Sequence, residues 1–125
     1  MENSELYKES IIQEKSFKFS LMIISLYKQL SKIDNNPILR QLLRSATSIG
    51  ANVNEGSAGQ TKKDFITKMA IASKEARETS YWLRLLNDSK WYNVDLTDHL
   101  TNSNEILKIL TKIVKTSQEN LKMKS

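Results

Sequence analysis

The feature that most constrains this chain is a hydrophobic repeat in its middle. Between residues 65 and 86, apolar or small side chains recur at alternating steps of four and three residues. This spacing keeps a narrow seam on one side of an α-helix, whereas strand side chains alternate at every second residue. The members are Phe65, Met69, Ala72, Ala76, Thr79, Leu83 and Leu86. The repeat therefore predicts a long helix with one buried face.

The preceding segment carries a similar seam, with the steps in the order three then four. Its members are Leu39, Leu42, Ala46, Ile49 and Val53. Small residues at Ala46, Ala72 and Ala76 would let neighbouring helices approach toward the short end of the usual interaxial range of about 8 to 10 Å. The sequence thus predicts two closely packed helices in the middle of the chain.

Two further helices are expected on either side of this pair. The first has a seam at Ile12, Ser16, Phe19, Ile23, Leu26 and Leu30, with Phe17, Leu21 and Ile24 widening the apolar stripe. A stripe this broad predicts contact with two neighbouring helices. The last helix has a seam at Leu96, Leu100, Ser103, Leu107, Leu110, Val114, Ser117 and Leu121.

Turn residues place the helix boundaries near 5–31, 37–56, 61–89 and 95–121. Residues 34–36 offer three good N-cap side chains before Pro37, which suits a first helical position. Gly56 and Gly59 are expected to end the second helix through a left-handed C-cap conformation. Thr61, with an acidic residue three positions later, resembles a capping box that opens the third helix.

Composition agrees with one all-α domain over residues 1–125. The chain is 39% apolar and 26% charged, and it has only three Gly and one Pro to interrupt helices. Four amphipathic helices joined by short loops predict an antiparallel up-down-up-down four-helix bundle. The absence of cysteine excludes disulfides and thiolate metal sites.

Nothing in the sequence predicts export or membrane insertion. Acidic residues at Glu2, Glu5 and Glu9 precede any apolar run, which is unlike a signal peptide. The most apolar run, residues 17–30, is too short to cross a bilayer and contains two lysines. A cytoplasmic protein with no membrane partner is expected.

A polar stripe on the second helix does not follow from packing. Arg44, Ser48, Asn52 and Glu55 fall within about a quarter turn of one another, opposite the apolar seam. Ser and Asn are poor helix formers, so a purely solvated face would more readily use Glu, Lys or Gln. Three interpretations remain open: a solvated face, a subunit interface or polar network with Glu78, and a ligand or nucleic-acid site.

The third helix carries a basic stripe far from its seam. Of the formal net charge of +5, the segment 61–92 contributes +3, from seven Lys and Arg against four Asp and Glu. The stripe consists of Lys63, Lys74, Arg77, Tyr81 and Arg84. Such a row could neutralise phosphates while the tyrosine stacks on a base, or it could be an ordinary solubilising face. Ile71 and Trp82, beside the seam, indicate that this helix is also covered from outside by self-association.

Catalytic interpretations have little support. Glu75 and Glu78 lie one helical turn apart and could act as an acid–base pair, but no histidine or metal ligand accompanies them. His99 is the only histidine, so one chain cannot form a histidine-based zinc site. No enzyme activity, metal or cofactor is expected.

The middle of the chain resembles the bacterial four helix bundle protein family, also called the 23S ribosomal RNA intervening-sequence protein family. The resemblance lies in LLRSATSIGANVNEG at 42–56 and in KKDFITKMAIASKEARETSYWLRLL at 62–86, and it extends from about residue 12 to 115. It implies a bundle that assembles into a ring, expected to be a homopentamer. It also implies kinship with the accessory variability proteins of diversity-generating retroelements, which are basic pentameric bundles that bind nucleic acid and a reverse transcriptase.

Two functional hypotheses follow. The first is a non-enzymatic homo-oligomer that binds RNA or DNA through the basic stripe. The second is a scaffold that docks a partner protein through the polar stripe and Trp82, with no direct role for nucleic acid.

Overall fold

The computed structural model describes the backbone of residues 2–124 and the side chains of residues 9–123. Its four α-helices are α1 (Glu2–Leu30), α2 (Pro37–Ser57), α3 (Lys62–Ser89) and α4 (Thr97–Lys124). Each observed boundary lies within three residues of the expected one. No β-strand occurs between residues 2 and 124, so the predicted all-α class is confirmed.

The helices form a four-helix bundle in which each packs on its neighbours in sequence and α1 also packs on α4. The first and third loops meet at one end, where the Asp34 carboxylate accepts hydrogen bonds from Trp91 Nε1 (2.9 Å) and the Tyr92 hydroxyl (2.5 Å). Burial, with this carboxylate beside the hydroxyl, raises the pKa of Tyr92. The second loop lies at the other end, near Glu9 of α1 and Ser117 of α4. This arrangement is compatible with antiparallel up-and-down connectivity.

The predicted seams of α1 and α2 form much of the core. All six seam positions of α1 and all five of α2 are buried. In α3 the seam is also buried from Met69 onward, but Phe65 is only half-buried and the adjacent Ile66 is buried instead. The alternating spacing therefore identified the buried faces of these three helices to within one residue.

The predicted contact of α1 with two neighbouring helices is confirmed, because α1 packs on both α2 and α4. The residues that widen its stripe add little to this packing, since the exposed fractions of Phe17, Leu21 and Ile24 are 65%, 53% and 38%. Phe17 lines a surface groove beside α2. These three residues, called the apolar ridge below, are left on the surface of the single chain.

The buried face of α4 is also rotated from the predicted one. Leu96, Ser103, Leu110 and Ser117 are buried as expected, together with Ile106 and Ile113, which the prediction omitted. The predicted Leu100, Leu107 and Val114 are half-buried, and Leu121 is exposed. Each of the pairs 106–107 and 113–114 is apolar at both positions, so spacing alone could not decide which member faces the core.

A side-chain cap forms at the start of α2, α3 and α4, and the first two are the predicted ones. The Asn36 Oδ1 atom accepts a hydrogen bond from the Ile38 amide (2.9 Å), and Thr61 Oγ1 accepts one from the Asp64 amide (3.0 Å). Before α4, a carboxylate oxygen of Asp95 accepts a bond from the backbone amide two residues later (3.0 Å). These contacts satisfy amides that the first helical turn leaves without partners.

The expected left-handed glycine C-cap is wrong. No glycine has a positive φ, and the left-handed residue is Lys90, with φ of 54°. Helix α2 continues through Gly56, which is fully buried against α3. A Cβ atom on Gly56 would lie 2.9 Å from Lys68 Cβ and 3.2 Å from Met69 Cε. This glycine is therefore required for close helix packing and not for a turn.

We predict that Gly56→Ala lowers stability by about 1 to 3 kcal/mol because the added methyl group overpacks the α2–α3 contact. Gly50→Ala is the matched control within the same helix. Its Cβ would meet first the mobile hydroxyl of Ser20, at 3.2 Å, so a change near zero or a gain of up to about 1 kcal/mol is expected. Thermal unfolding of both variants checks this, and equal effects would contradict the packing role.

Candidate nucleic-acid interface

The polar stripe of α2 lies along its junction with α3. Arg44 Nη1 is 3.1 Å from Glu75 Oε2, and its Nη2 contacts the carboxylate of Glu78. The Arg44 Nε atom also donates to Gln41 Oε1 (3.2 Å). The side chain of Glu75 is only 16% exposed. One guanidinium group therefore links two carboxylates of the neighbouring helix.

The other members of the stripe are also engaged within the chain. The side-chain amide of Asn52 donates to Ser48 O (2.9 Å) and Ser48 Oγ (3.1 Å). Glu55 is paired with Lys68 of α3 at 2.8 Å. The stripe was expected on the face opposite the seam, but the reach of the long Arg44 and Glu55 side chains brings it into contact with α3.

Trp82 extends this junction on α3. It is half-buried, and its ring meets the exposed Tyr81 ring edge-on, with centroids 5.2 Å apart. Its Nε1 atom is enclosed and has no acceptor. Trp82 thus contributes packing beside the polar network, while Tyr81 remains accessible to a stacking partner.

Glu75 and Glu78 have a structural role at the α2–α3 junction. Both carboxylates contact the same Arg44 guanidinium, and neither lines a surface groove described below. Among the described side chains, no three His, Cys, Asp or Glu residues come together in a way that could hold a metal ion. This network supports cross-linking of α2 and α3 better than acid–base chemistry.

The five residues of the basic stripe are all exposed on α3. Within residues 9–123, none of their side chains forms a hydrogen bond or an ion pair. They are not gathered into one cluster, however. Arg77 and Lys63 face grooves between α3 and α4, whereas Lys74, Tyr81 and Arg84 line neither of these grooves.

Lysines of α4 complete a basic surface that the sequence analysis missed. Lys108, Lys112 and Lys115 line one groove with Arg77, and Lys115 continues into a second groove with Lys63. We call these five residues the basic groove. The α4 lysines are spaced four and three residues apart, which places them on one helical face. This spacing of lysines is the sequence signal from which the α4 side of the groove could have been predicted.

The net charge of this segment hides the cluster. Residues 93–125 contain five lysines and four acidic residues, a balance of only +1. Asp95 and Asp98 lie at the start of α4, and Glu105 is paired with Lys15 of α1 at 3.1 Å. Glu119 is the one acidic residue that lines the groove surfaces. The folded chain therefore separates charges that nearly cancel in the sequence.

Comparisons with known proteins agree with this fold. The family model of the 23S rRNA-intervening sequence protein matches residues 8–112. The chain belongs to this family. A crystal structure from Bacteroides thetaiotaomicron, described as a protein with unknown function from the S23 ribosomal protein family, is 40% identical with a TM-score of 0.80. The match covers 86% of this chain and 98% of that chain. No curated protein matches.

Membership of the 23S rRNA-intervening sequence family confirms the resemblance drawn from residues 42–86. The family match also extends to α1 and to the first part of α4, so it includes the apolar ridge and every residue of the basic groove except Lys115. None of the described helices is long and apolar enough to span a membrane.

We predict that Arg44→Ala lowers stability by about 1 to 2 kcal/mol at neutral pH, because it leaves the largely buried Glu75 carboxylate without its charged partner. Arg40→Ala is the control, since Arg40 is exposed on the same helix and contacts only Asn35; a change within about 0.5 kcal/mol is expected there.

Chemical denaturation of the two variants tests the role of the network. Adding Glu75→Gln to Arg44→Ala should recover part of the loss, because the double variant no longer leaves the Glu75 charge unpaired. Equal stability of Arg44→Ala and the unmodified chain would show that the network is solvated and contributes nothing measurable.

Proposed function

We propose that this chain is a cytoplasmic, non-enzymatic homo-oligomer that binds RNA or DNA through the basic groove. The observation that carries the proposal is the row of unpaired cations from two helices, Lys63 and Arg77 of α3 with Lys108, Lys112 and Lys115 of α4. Ordinary surface cations are commonly interspersed with acidic partners, as Lys15, Lys18 and Lys68 are here.

The spacing of the cations suits a phosphate backbone. Lys108 and Lys115 are seven residues apart, which is about 10 Å along a helix axis. In B-form DNA one strand carries a phosphate about every 3.4 Å of axis, so this row could neutralise about three of them. The exposed Tyr81 ring adds a stacking surface on α3 at a distance from the groove.

Self-association is supported by the apolar ridge of α1. Three large apolar side chains, Phe17, Leu21 and Ile24, lie one helical turn apart on the same exposed face. Exposed apolar patches of this kind mark interaction sites. A homopentamer, the expected ring, would also bring five basic grooves together, and several weak contacts in one complex bind more tightly than one.

We predict that Arg77→Glu with Lys112→Glu raises the Kd for nucleic acid at least tenfold at low salt, because both changes remove a cation from the groove and add repulsion. Lys28→Glu with Lys32→Glu makes the same change in net charge on exposed residues outside the groove, and it should leave most of the affinity intact.

Fluorescence anisotropy with labelled RNA and DNA over a salt series measures this effect. The logarithm of the affinity should fall linearly with the logarithm of salt concentration, with a slope of about −0.7 to −0.9 per phosphate contact. Equal weakening by the two double variants would show that binding depends on the net charge of the protein and not on the basic groove. No binding by the unmodified chain at low salt would refute the proposed function.

We further predict that Leu21→Asp dissociates the oligomer, because a charge on the apolar ridge would have to be buried in the subunit contact. Gln29→Asp places the same charge at an exposed position of the same helix, about 80° around the axis from Leu21, and it should leave the assembly unchanged. Light scattering gives the mass directly, with five 14.4 kDa chains expected for the unmodified protein. A monomeric unmodified chain would contradict the oligomer.

A further inference from the structure

A cavity lies at the end of the bundle where the second loop joins α2 to α3. Its volume is about 260 Å³, close to the lower end of the range for small-molecule pockets. It is lined by the last residues of α2, the loop, the start of α3, the C-terminal part of α4 and Glu9 of α1, and it opens to the surface. The proposed function, as stated above, makes no use of it.

One serine hydroxyl in this cavity, the Oγ atom of Ser57, is buried without a hydrogen-bond partner. Ser117, on the α4 side of the cavity, is only 5% exposed. Buried polar groups in folded proteins are nearly always paired, and the exceptions call for an explanation such as a missing ligand. Ser57 and Ser117 both line the cavity, so a polar ligand there could form a hydrogen bond with the unpaired Ser57 hydroxyl.

The rest of the lining combines charged, polar and apolar groups. Glu9 and Lys62 are the charged members, and each already has an interaction partner. The Gln60 side-chain amide and the Thr116 hydroxyl can each donate and accept hydrogen bonds. The half-buried Phe65 ring and Ile113 supply apolar surface. Neutral groups that both donate and accept, placed next to an aromatic ring, match the edge and the face of a nucleobase.

The cavity adjoins the basic groove. Thr116 lines both the cavity and the part of the groove formed by Arg77, Lys108 and Lys112. Its neighbour in sequence, Lys115, lines both parts of the groove. A strand whose phosphates lie along these cations would therefore pass beside the cavity.

We propose that the cavity holds one unpaired nucleobase of a single strand whose phosphates occupy the basic groove. This inference rests on the proposed function and specifies its ligand as single-stranded nucleic acid. A base in a duplex would first have to be unstacked and unpaired, which costs free energy. The protein should therefore prefer single strands to duplexes of the same length, by about tenfold or more.

The test uses the full chain and short oligonucleotides that carry one 2-aminopurine. Anisotropy compares a single strand with the corresponding duplex, and acrylamide quenching reports whether the fluorescent base is enclosed. We expect tighter binding of the single strand and protection of its 2-aminopurine from acrylamide. The 2-aminopurine mononucleotide should bind far more weakly, because it lacks the contacts along the groove.

Ser117→Leu fills the cavity, and Ser57→Val removes the unpaired hydroxyl. Either variant should bring single-strand affinity down to the duplex level and abolish protection from acrylamide, while the salt dependence stays the same. Thr111→Leu is the control, because Thr111 lines the groove but not the cavity. Thermal unfolding identifies the folded variants, and Ser57→Val serves alone if Ser117→Leu does not fold.

The outcomes separate the two proposals. Equal affinity for single strands and duplexes, with the charge-reversal effect of Arg77 and Lys112 retained, would overturn the cavity proposal and leave the proposed function standing. Mononucleotide binding as tight as strand binding would make the cavity a free-nucleotide site and would also overturn it. Absence of any nucleic-acid binding would overturn both.

Discussion

The close approach of α2 and α3 is the constraint on which the rest of the structure depends. This is the most extensive helix contact in the bundle, and it is made possible by small buried residues, Ala46 and Gly56 on α2 and Ala72 and Ala76 on α3. Polar contacts run beside this apolar contact. Thr79 donates to Ser45 at 2.8 Å inside the bundle, and Arg44 joins Glu75 and Glu78 at its rim. Because the helices are close, short side chains can bond across them.

The α2–α3 contact also determines which charged side chains are paired and which are not. Along the α2–α3 junction two cations, Arg44 and Lys68, pair with three carboxylates, those of Glu75, Glu78 and Glu55. On the other side of α3, the contact with α4 uses neutral groups, with Ser80 Oγ only 2.6 Å from Ser103 Oγ. The five cations of the basic groove have no acidic partners among the described residues. The carboxylates of α2 and α3 that form ion pairs lie at the α2–α3 junction, and the groove cations are therefore left exposed.

The sequence predicted the fold well because each seam has a clear period. The narrow seams of α1 and α2 are buried at every predicted position. Prediction failed where two adjacent residues were both apolar, as at Ile106 and Leu107 in α4. It also failed at Gly56, because a glycine that permits close packing and a glycine that ends a helix look the same in a sequence.

The candidate site was harder to predict because it is built from two helices. Arg77 was singled out on α3, but Lys108, Lys112 and Lys115 were passed over because α4 is nearly neutral as a whole. Only the packing of α4 against α3 shows that these lysines and Arg77 line one groove. The net charge of residues 93–125 does not reveal this groove, because the sum includes Glu105. Glu105 is paired with Lys15 of α1 and does not line the groove.

The end cavity exists because the buried faces of α2 and α4 carry small or polar residues near the second loop. Near the second loop, large core residues give way to small or polar ones, Gly56 and Ser57 on α2 and Ser117 on α4. Gly56 draws α2 onto α3 at this end, but Ser117 has no long side chain with which to fill the space on the α4 side. A leucine or isoleucine at that position would continue the seam and close the core at no cost in polar groups. The serine therefore gives up apolar packing, which we expect where the space is occupied by a ligand with polar atoms.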